Sequence, residues 1–337
     1  MADLSVNYLG LDLKNPLVPS ASPLSKDLDS AKHLEDAGAA ALVMYSLYEE
    51  QIVAEEQRYD RFLDHQSLGH GEAQSFLPEH PGHQSTLERY LEQVSSLKRS
   101  LDIPVIASLN GVSEAGWIDF ARLIQEAGAD ALELNVYYVA ADPTETAEQV
   151  EQRYLDVLGH LEDQVSLPVA VKLSPQFTSP LNMIGKLQQA GAAGVVIFNR
   201  FYQSDINLET LAVEPHLEFS APYEALFRIR WAAMIRGTFD LDLAVTGGFH
   251  KSDDIIKALL AGANVVQLAS VLLQHGPARL SELLAQLGEW LDENEYESVK
   301  QMLGSLSVNR AANPSAYARH NYLNVLESFK PPPGVRY

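Results

Sequence analysis

The 337-residue chain contains no cysteine. Disulfide bonds, thiolate metal sites, a cysteine nucleophile and an iron–sulfur cluster held by the chain itself are therefore excluded. Positive charge is also scarce, because 24 lysines and arginines stand against 45 aspartates and glutamates and leave a net charge of −21. Phosphate backbones and anionic membrane surfaces would be repelled, so neither nucleic acid nor a membrane is expected as a partner.

Long apolar runs are missing as well. No uninterrupted stretch approaches the ~20 residues of a membrane span, and the first ten residues, MADLSVNYLG, lack a basic region followed by an apolar core. The sequence therefore predicts a cytoplasmic protein. What remains is a globular composition, 46% hydrophobic and 20% charged, which favours one large domain over residues 1–337.

The stretch from Asp242 to Ser270, DLAVTGGFHKSDDIIKALLAGANVVQLAS, contains two strand-to-helix units. An apolar strand (Leu243–Val245) stops at two glycines, and a helix with amphipathic spacing follows. A second apolar strand (Val265–Leu268) ends at Ala269, ahead of another helix. Parallel strands end at the same edge of a sheet, so the backbone N–H groups there can hold a phosphate. Simple tight turns would also account for the glycine pair.

One turn recurs four times in the chain. The phrases EDAGAAALVMYS, QEAGADALELNV, QQAGAAGVVIFN and LLAGANVVQLAS each end a helix at glycine and then begin a strand. Eight strand-and-helix units in roughly 260 residues predict an α/β fold, a single TIM-type (β/α)8 barrel. An open doubly wound sheet is the alternative, and it is disfavoured because GxGxxG is absent.

The same patterns give the boundaries of the elements. An N-terminal hairpin (Leu4–Tyr8 and Leu11–Leu13) is expected to close the barrel floor. The other predicted strands are Leu17–Ala21, Ala41–Ser46, Pro104–Leu109, Ala131–Val136, Pro168–Leu173 and Gly194–Asn199. The other predicted helices are Leu28–Ala37, residues 47–57, Trp117–Ala127, Ala147–Leu161, Asn182–Ala190 and Tyr223–Ile235. Two insertions, 59–84 and 200–221, are predicted over the active site, and 294–337 is predicted as a C-terminal extension.

The C-terminal ends of the strands, where the chemistry of such barrels takes place, carry mainly amide, hydroxyl and cationic groups. Glu133, a carboxylate, is the exception. A glycosidase needs a pair of carboxylates, so this class of enzyme is disfavoured. Lys172 lies in an otherwise apolar strand and needs a partner. The options are an ion pair with Glu133 or with a carboxylate at the barrel floor, a Schiff-base amine, and a fixed cation beside an anionic cofactor. The phosphate-type turns favour the third option, with flavin mononucleotide (FMN) as the cofactor.

Several motifs, in order, carry a family resemblance. They are NPLVPSAS near the N-terminus, ELN at Glu133–Asn135, VKLSP at Val171–Pro175, FN at Phe198–Asn199, TGGF at Thr246–Phe249 and VVQLAS at Val265–Ser270. Over roughly residues 4–290 the chain resembles the dihydroorotate dehydrogenase family, as a divergent branch of its soluble class. The resemblance implies an FMN-containing barrel, usually a homodimer, that oxidises dihydroorotate to orotate in pyrimidine biosynthesis.

The resemblance also implies roles for single residues. Lys172 lies near the pyrimidine end of the flavin ring, and Asn135 and Asn199 face flavin and substrate. The residues implied to bind FMN are Ala21, Ser22, Asn110, Asn135, Lys172 and Asn199, with Gly247, Gly248, Ala269 and Ser270 around the phosphate.

The chain departs from the family pattern near the substrate. Tyr45 stands where the family has lysine after the second strand, and the family's substrate loop is not recognisable in residues 68–85. The cysteine or serine base of a motif like NxSCPN is replaced within Asn135–Val139. Tyr138 takes the approximate place of that base. A phenol with an ordinary pKa of ~10 suits proton donation better than proton abstraction. Filling of space above the flavin is the alternative for Tyr138.

Lys172, Asn135 and Tyr138 are thus the predicted catalytic residues, and Tyr45, Asn199 and Arg200 the predicted substrate contacts. Arg200 can clamp a carboxylate or pair with a surface acid, Asp205 or Glu209.

Other functions stay open. They are a flavoprotein without turnover that serves in binding or electron transfer, an FMN-dependent reductase of another small unsaturated substrate, and a non-flavin lyase or aldolase that uses Lys172 as a Schiff-base amine. A tRNA-reducing flavin barrel is disfavoured by the negative charge. No metal site is predicted, because the histidines of the first insertion lack ligand spacing. They are His65, His70, His80 and His83.

Overall fold

The computed structural model of the chain describes residues 2–55, 57–58, 84–111, 114–162, 164–328 and 330. Parallel strands curve into a nearly closed barrel with helices around it, and an antiparallel hairpin precedes them. The prediction of a single TIM-type (β/α)8 barrel is therefore confirmed.

The elements of the described residues are as follows. The strands are β1 (Val6–Tyr8), β2 (Leu11–Leu13), β3 (Leu17–Pro19), β4 (Leu42–Val43), β5 (Leu47–Tyr48), β6 (Val105–Asn110), β7 (Ala131–Asn135), β8 (Val169–Leu173), β9 (Gly194–Ile197), β10 (Ser204–Asn207), β11 (Ala212–Pro215), β12 (Asp242–Thr246) and β13 (Val265–Leu268). The α-helices are α1 (Leu28–Asp36), α2 (Thr86–Ser100), α3 (Glu114–Glu126), α4 (Ala147–Glu162), α5 (Pro180–Gln189), α6 (Glu224–Arg236), α7 (Ser252–Ala261), α8 (Ser270–His275), α9 (Ala278–Glu293), α10 (Val299–Met302) and α11 (His320–Glu327).

The barrel sheet is parallel throughout, in the order β3-β13-β12-β9-β8-β7-β6-β4. The two ends of this path meet where the Ala40 N–H donates to the Leu17 carbonyl at 3.1 Å. Every residue of β6, β7, β8 and β9 is buried, as expected for a sheet covered on both faces. The register places Asn110, Asn135 and Lys172 side by side on neighbouring strands.

The recurring glycine turn has a direct backbone cause. After α1, Gly38 has a φ of 105°, a region that side chains with a Cβ rarely occupy. The Gly38 N–H donates to the Glu35 carbonyl, and the Ala39 N–H to the Leu34 carbonyl. This is the Schellman pattern that satisfies the last carbonyls of a helix. Glycines with positive φ end the other three phrases in the same way, at Gly128, Gly191 and Gly262.

The hairpin closes the barrel floor. Tyr8 and Leu9 are buried, and the Leu9 N–H donates to a carboxylate oxygen of Asp242 at 2.6 Å. A Cβ on Gly194 would lie 3.0 Å from the Leu9 side chain. Asp242 and Gly194 begin β12 and β9, so these contacts are at the N-terminal ends of the strands, away from the face that carries the chemistry.

The predicted helix over residues 47–57 is present, but it begins two residues later than expected. Leu47 and Tyr48 form β5, which pairs with Leu109 and Asn110, and helical residues begin only at 49. Leu47 is buried, so its tertiary environment outweighs the local helical pattern. The second predicted strand is correspondingly shorter, at Leu42–Val43.

Helix α2 and the hairpin of β10 and β11 are among the elements that were not predicted. Helix α2 begins with a capping box between Ser85 and Glu88 and buries Tyr90, Val94 and Leu97. The second insertion contains the antiparallel hairpin of β10 and β11. Its side chains are exposed on both faces, so the alternation that identifies a half-buried strand is missing. The roles of residues 59–84 and 294–337 stay predictions.

Within the described ranges, no helix combines the length and apolar character that a membrane crossing requires. The same part of the chain contains no group of three or more histidines, aspartates or glutamates placed to hold a metal ion. The four histidines of the first insertion and its predicted irregular structure lie outside the described residues.

Candidate active site

A cavity of about 370 Å³ opens at the C-terminal ends of β3, β8, β9, β12 and β13. Most of the predicted site residues line it, namely Ala21, Ser22, Lys172, Asn199, Arg200, Gly247, Gly248, Ala269 and Ser270. Their proposed roles remain predictions, but the structure brings these nine into one space. Asn110, Asn135, Tyr45 and Tyr138 do not line the cavity.

The glycine turn after β12 forms one end of the cavity. Gly247 and Gly248 have φ values of 93° and 92°. A Cβ on Gly248 would lie only 2.4 Å from the backbone nitrogen of Ala225, and one on Gly247 would lie 3.0 Å from the Arg228 guanidinium. Backbone therefore faces the cavity here without side chains, and an anion can approach the turn closely.

Ser270, at the start of α8, lies beside this turn. Its hydroxyl oxygen accepts hydrogen bonds from the Ser220 backbone N–H (3.1 Å) and the Ser220 hydroxyl (2.9 Å). His250 Nε2 lies 2.7 Å from the Ser220 carbonyl oxygen. Burial lowers the pKa of His250, while the Ser220 carbonyl opposes this shift. The end of the second insertion thus closes the wall of the cavity, and sequence reasoning missed both Ser220 and His250.

Lys172 reaches the cavity from the barrel lumen and is paired there. Its Nζ lies 2.9 Å from Glu133 Oε1, and the exposed side-chain fractions are 7% and 1%. The other carboxylate oxygen of Glu133 accepts from Gln267 Nε2 at 2.7 Å, and Gln267 Oε1 accepts from the Ser20 hydroxyl at 3.1 Å. The buried ammonium is therefore compensated by a network of polar side chains. Of the members of this network besides Lys172, the sequence indicated only Glu133. A glutamine inside the apolar strand β13 was an available signal for Gln267.

Three asparagines lie at or just beyond the C-terminal ends of β6, β7 and β9, namely Asn110, Asn135 and Asn199. Asn199 Nδ2 donates to Asn135 Oδ1 at 2.7 Å, so Asn135 orients a residue that lines the cavity. Asn110 is buried, and within the described residues its Nδ2 has no hydrogen-bond partner. A buried donor of this kind fits a site that receives a polar ligand.

Tyr138 is held away from the cavity. Its hydroxyl donates to Glu145 Oε2 at 2.6 Å, and the Arg153 guanidinium lies 4.6 Å from the ring centroid. The hydrogen bond to Glu145 raises the pKa of Tyr138, so the phenol stays protonated at neutral pH. Tyr137 instead packs its ring on Phe201 at the mouth, and its hydroxyl accepts from the backbone N–H of Tyr202. Of the three predicted catalytic residues, Lys172 thus lines the cavity, Asn135 contacts a residue that lines it, and Tyr138 does neither.

Two of the predicted substrate contacts, Tyr45 and Arg200, already have protein partners. Tyr45 packs edge-on against Tyr90, with the Lys26 ammonium 5.1 Å from its ring. Arg200 lines the cavity, but its Nε lies 3.3 Å from Glu224 Oε2 and its Nη1 donates to the Glu218 carbonyl. The acid that pairs with Arg200 is thus Glu224, at the start of α6, and not Asp205 or Glu209, which the alternative had named.

FMN, which the resemblance implies, can be tested against these residues. The side-chain-free glycine turn and Ser270 suit a phosphate, and Lys172, Asn199 and the unpaired Asn110 amide suit the polar edge of a flavin ring. The cavity volume of about 370 Å³ falls within the ~300–1,000 Å³ of small-molecule sites. The residues present therefore fit FMN.

The chain is similar to known proteins over most of its length. The dihydroorotate dehydrogenase family model matches residues 3–291. The catalytic subunit of dihydroorotate dehydrogenase B (NAD(+)) from Thermoplasma acidophilum is 24% identical over 321 residues, which cover 90% of this chain and 99% of that protein. Dihydroorotate dehydrogenase A (fumarate) from Lactobacillus helveticus is 24% identical over 316 residues, with 92% and 100% covered.

A third relative is named as a dihydropyrimidine dehydrogenase subunit and not as a dihydroorotate dehydrogenase. The NAD-dependent dihydropyrimidine dehydrogenase subunit PreA of Escherichia coli is 24% identical over 330 residues, which cover 91% of this chain and 77% of that protein. Because the family model spans most of the 337 residues, from 3 to 291, the chain belongs to the dihydroorotate dehydrogenase family.

Proposed function

We propose that this chain is an FMN-dependent oxidoreductase that acts on a CH–CH bond of a small dihydro-heterocycle. The observation that carries the proposal is the cavity, where the glycine turn, Ser270 and the buried Lys172 face one space in a member of this family. The family's name makes dihydroorotate the first substrate to test, and its oxidation to orotate would place the protein in pyrimidine biosynthesis.

Oxidation of such a bond removes a hydride from one carbon and a proton from its neighbour. When bound, FMN would supply the two-electron oxidant that takes the hydride. The Lys172 ammonium would favour negative charge on the ring, and Asn199, oriented by Asn135, would hold polar groups in place. The acid–base role of Tyr138 stays a prediction, since the structure holds its hydroxyl on Glu145.

The spectrum of the purified protein tests this proposal. We expect a yellow protein that releases FMN on denaturation, because the residues around the cavity fit that cofactor. Anaerobic titration with dihydroorotate and with dihydropyrimidines is then expected to bleach the flavin with at least one of them. A protein that stays colourless after incubation with FMN would contradict the proposal. The hypothesis of a lyase or aldolase would then be tested by reductive trapping of a Schiff base on Lys172. A yellow protein that none of them bleaches would favour a flavoprotein without turnover.

We also propose that the chain works as a homodimer in the cytoplasm, as the resemblance implies. The hairpin of β10 and β11 supports an interface, because Ile206 and Val213 are 61% and 72% exposed and Leu208 and Leu211 are more exposed still. Contiguous apolar surface of this kind is typical of protein contacts.

Replacing Ile206 and Val213 together by lysine is expected to convert the dimer to a monomer, because two charges would enter the apolar contact. Light scattering during gel filtration measures the mass. Thr210→Lys, on the same hairpin, is the control, because Thr210 adds no apolar surface there. A wild-type monomer at micromolar concentration, or a dimer that survives the double substitution, would remove the hairpin from the interface.

A further inference from the structure

The cations around the cavity are already held by carboxylates and backbone carbonyls of the protein. Lys172 is paired with Glu133 at 2.9 Å. Arg200 is paired with Glu224, which also lies 3.4 Å from Arg228 Nη1. Arg228 further donates to the carbonyls of Thr246 and Glu224, and so is turned into the wall. Within the described residues, neither Lys172 nor Arg200 is left to bind a substrate carboxylate.

The remaining charge near the mouth is negative. Glu218 lines the cavity, and its side chain is exposed. With the whole chain at −21, the surrounding field repels small anions and does not attract them. A phosphate held at the glycine turn would add further negative charge within the same cavity.

The rest of the mouth is apolar. The side chains of Tyr202, Leu217 and Phe219 line the cavity while 60%, 68% and 39% exposed. Leu273, 37% exposed, faces them from α8. The Tyr137 hydroxyl fixes the backbone of Tyr202 by a 3.0 Å hydrogen bond. Large apolar side chains left exposed at the entrance of a cavity indicate a ligand that covers them.

We infer that this site takes an uncharged substrate, a small dihydro ring with an apolar face or substituent, and discriminates against carboxylates such as dihydroorotate. This inference rests on the proposed function and names its substrate class. In this oxidation the uncharged ring loses a hydride to FMN and a proton to solvent or a protein group, and a carbon–carbon double bond forms. Dihydrouracil and dihydroorotate make a matched pair of probes, since they share the ring and differ by the carboxylate.

Binding of the oxidised ring compounds to the flavin-loaded protein tests the inference. We expect uracil and thymine to perturb the flavin absorbance with dissociation constants at least tenfold lower than that of orotate. Dihydrouracil or dihydrothymine is expected to bleach the flavin at least tenfold faster than dihydroorotate at equal concentration. The preference should narrow at high salt, because ions screen the repulsion of orotate.

A substitution at the rim isolates the charge effect. Glu218→Gln is expected to raise the affinity for orotate relative to uracil several-fold, because one repelling carboxylate is removed from the mouth. Glu214→Gln is the matched control, since Glu214 is an exposed acid of the same insertion that does not line the cavity. Its ratio of the two affinities should equal that of the wild type.

The outcomes separate this inference from the proposed function. Orotate binding as tightly as uracil, or no response to any of the uncharged rings, would overturn the inference. If the protein is yellow in that experiment, FMN binding is still upheld. A protein that takes up no flavin fails before any ligand is added, and so contradicts the proposed function itself.

Discussion

Replacing Ala269 by aspartate is expected to abolish FMN binding while the barrel stays folded. Ala269 lines the cavity, is only partly buried and immediately precedes α8. Aspartate is well tolerated at such a position, because it can cap the helix. Its carboxylate would meet the phosphate, and two like charges ~4 Å apart at an effective dielectric constant of ~20 repel by about 4 kcal/mol. We therefore expect at least a hundred-fold loss of FMN affinity.

Ala269→Asn is the matched control, because asparagine has nearly the same shape and caps helices equally well but carries no charge. It should keep FMN within about tenfold of the wild-type affinity. Titration of the deflavinated proteins with FMN, followed by fluorescence, gives the two constants, and circular dichroism checks the fold. Equal FMN affinity of the Asp and Asn variants would mean that the phosphate does not lie at α8.

Gly248 is a less suitable position for the same experiment. A Cβ there would lie 2.4 Å from the Ala225 nitrogen, and the φ of 92° disfavours any other residue. Gly248→Asp would therefore disturb the backbone as well as the charge, and a colourless protein would have two explanations.

The barrel could be predicted because its signals are local. Each glycine of the recurring turn, such as Gly38, is required by a positive φ at a helix end, and a glycine followed by an apolar run is visible in the sequence. Lys172 could be singled out for the same reason, since a cation in an apolar strand needs a partner. The structure pairs it with Glu133, as one of the options had it, and its role beside a cofactor stays a prediction.

The parts that were missed depend on tertiary contacts. Ser220 meets Ser270 across 50 positions of sequence, and nothing in either segment indicates this contact. Tyr138 was assigned by its position in the chain, but the direction of its side chain is set by Glu145, seven residues later. Leu47 was assigned to a helix because its pairing with Leu109 is not local. The order of strands and helices in the sequence predicts which segments reach the mouth of the barrel. Which of their side chains line the cavity depends on the tertiary contacts of the loops.

Replacing Lys172 by methionine is expected to destabilise the protein by about 3–5 kcal/mol, because removal of one partner leaves a buried charge uncompensated. Glu133 is 1% exposed, so water cannot solvate its carboxylate. The double variant Lys172→Met with Glu133→Gln should recover most of this loss, since the uncompensated charge is removed. Urea unfolding of the wild type, both single variants and the double variant gives the coupling energy.

The same four proteins test whether the pair faces the flavin. An ammonium near the ring favours its reduced, negatively charged state, and a carboxylate opposes it. Lys172→Met should therefore lower the flavin potential and Glu133→Gln should raise it, each by tens of millivolts, given ~30 mV per 1.4 kcal/mol for a two-electron couple. The double variant should lie close to the wild type, because a neutral pair has been exchanged for neutral side chains.

A second ion pair separates this electrostatic effect from general destabilisation. Lys186 and Glu151 are joined at 2.8 Å but are 39% and 15% exposed, on α5 and α4. Lys186→Met is expected to cost at most about 1 kcal/mol and to leave the flavin potential unchanged, because the pair is on the outer ring of helices. If Lys172→Met shifts only stability and moves the potential no more than Lys186→Met does, the Lys172 network would be structural and the ring would have to lie elsewhere in the cavity. Opposite shifts in the two single variants can arise only from a charge pair in the field of the flavin.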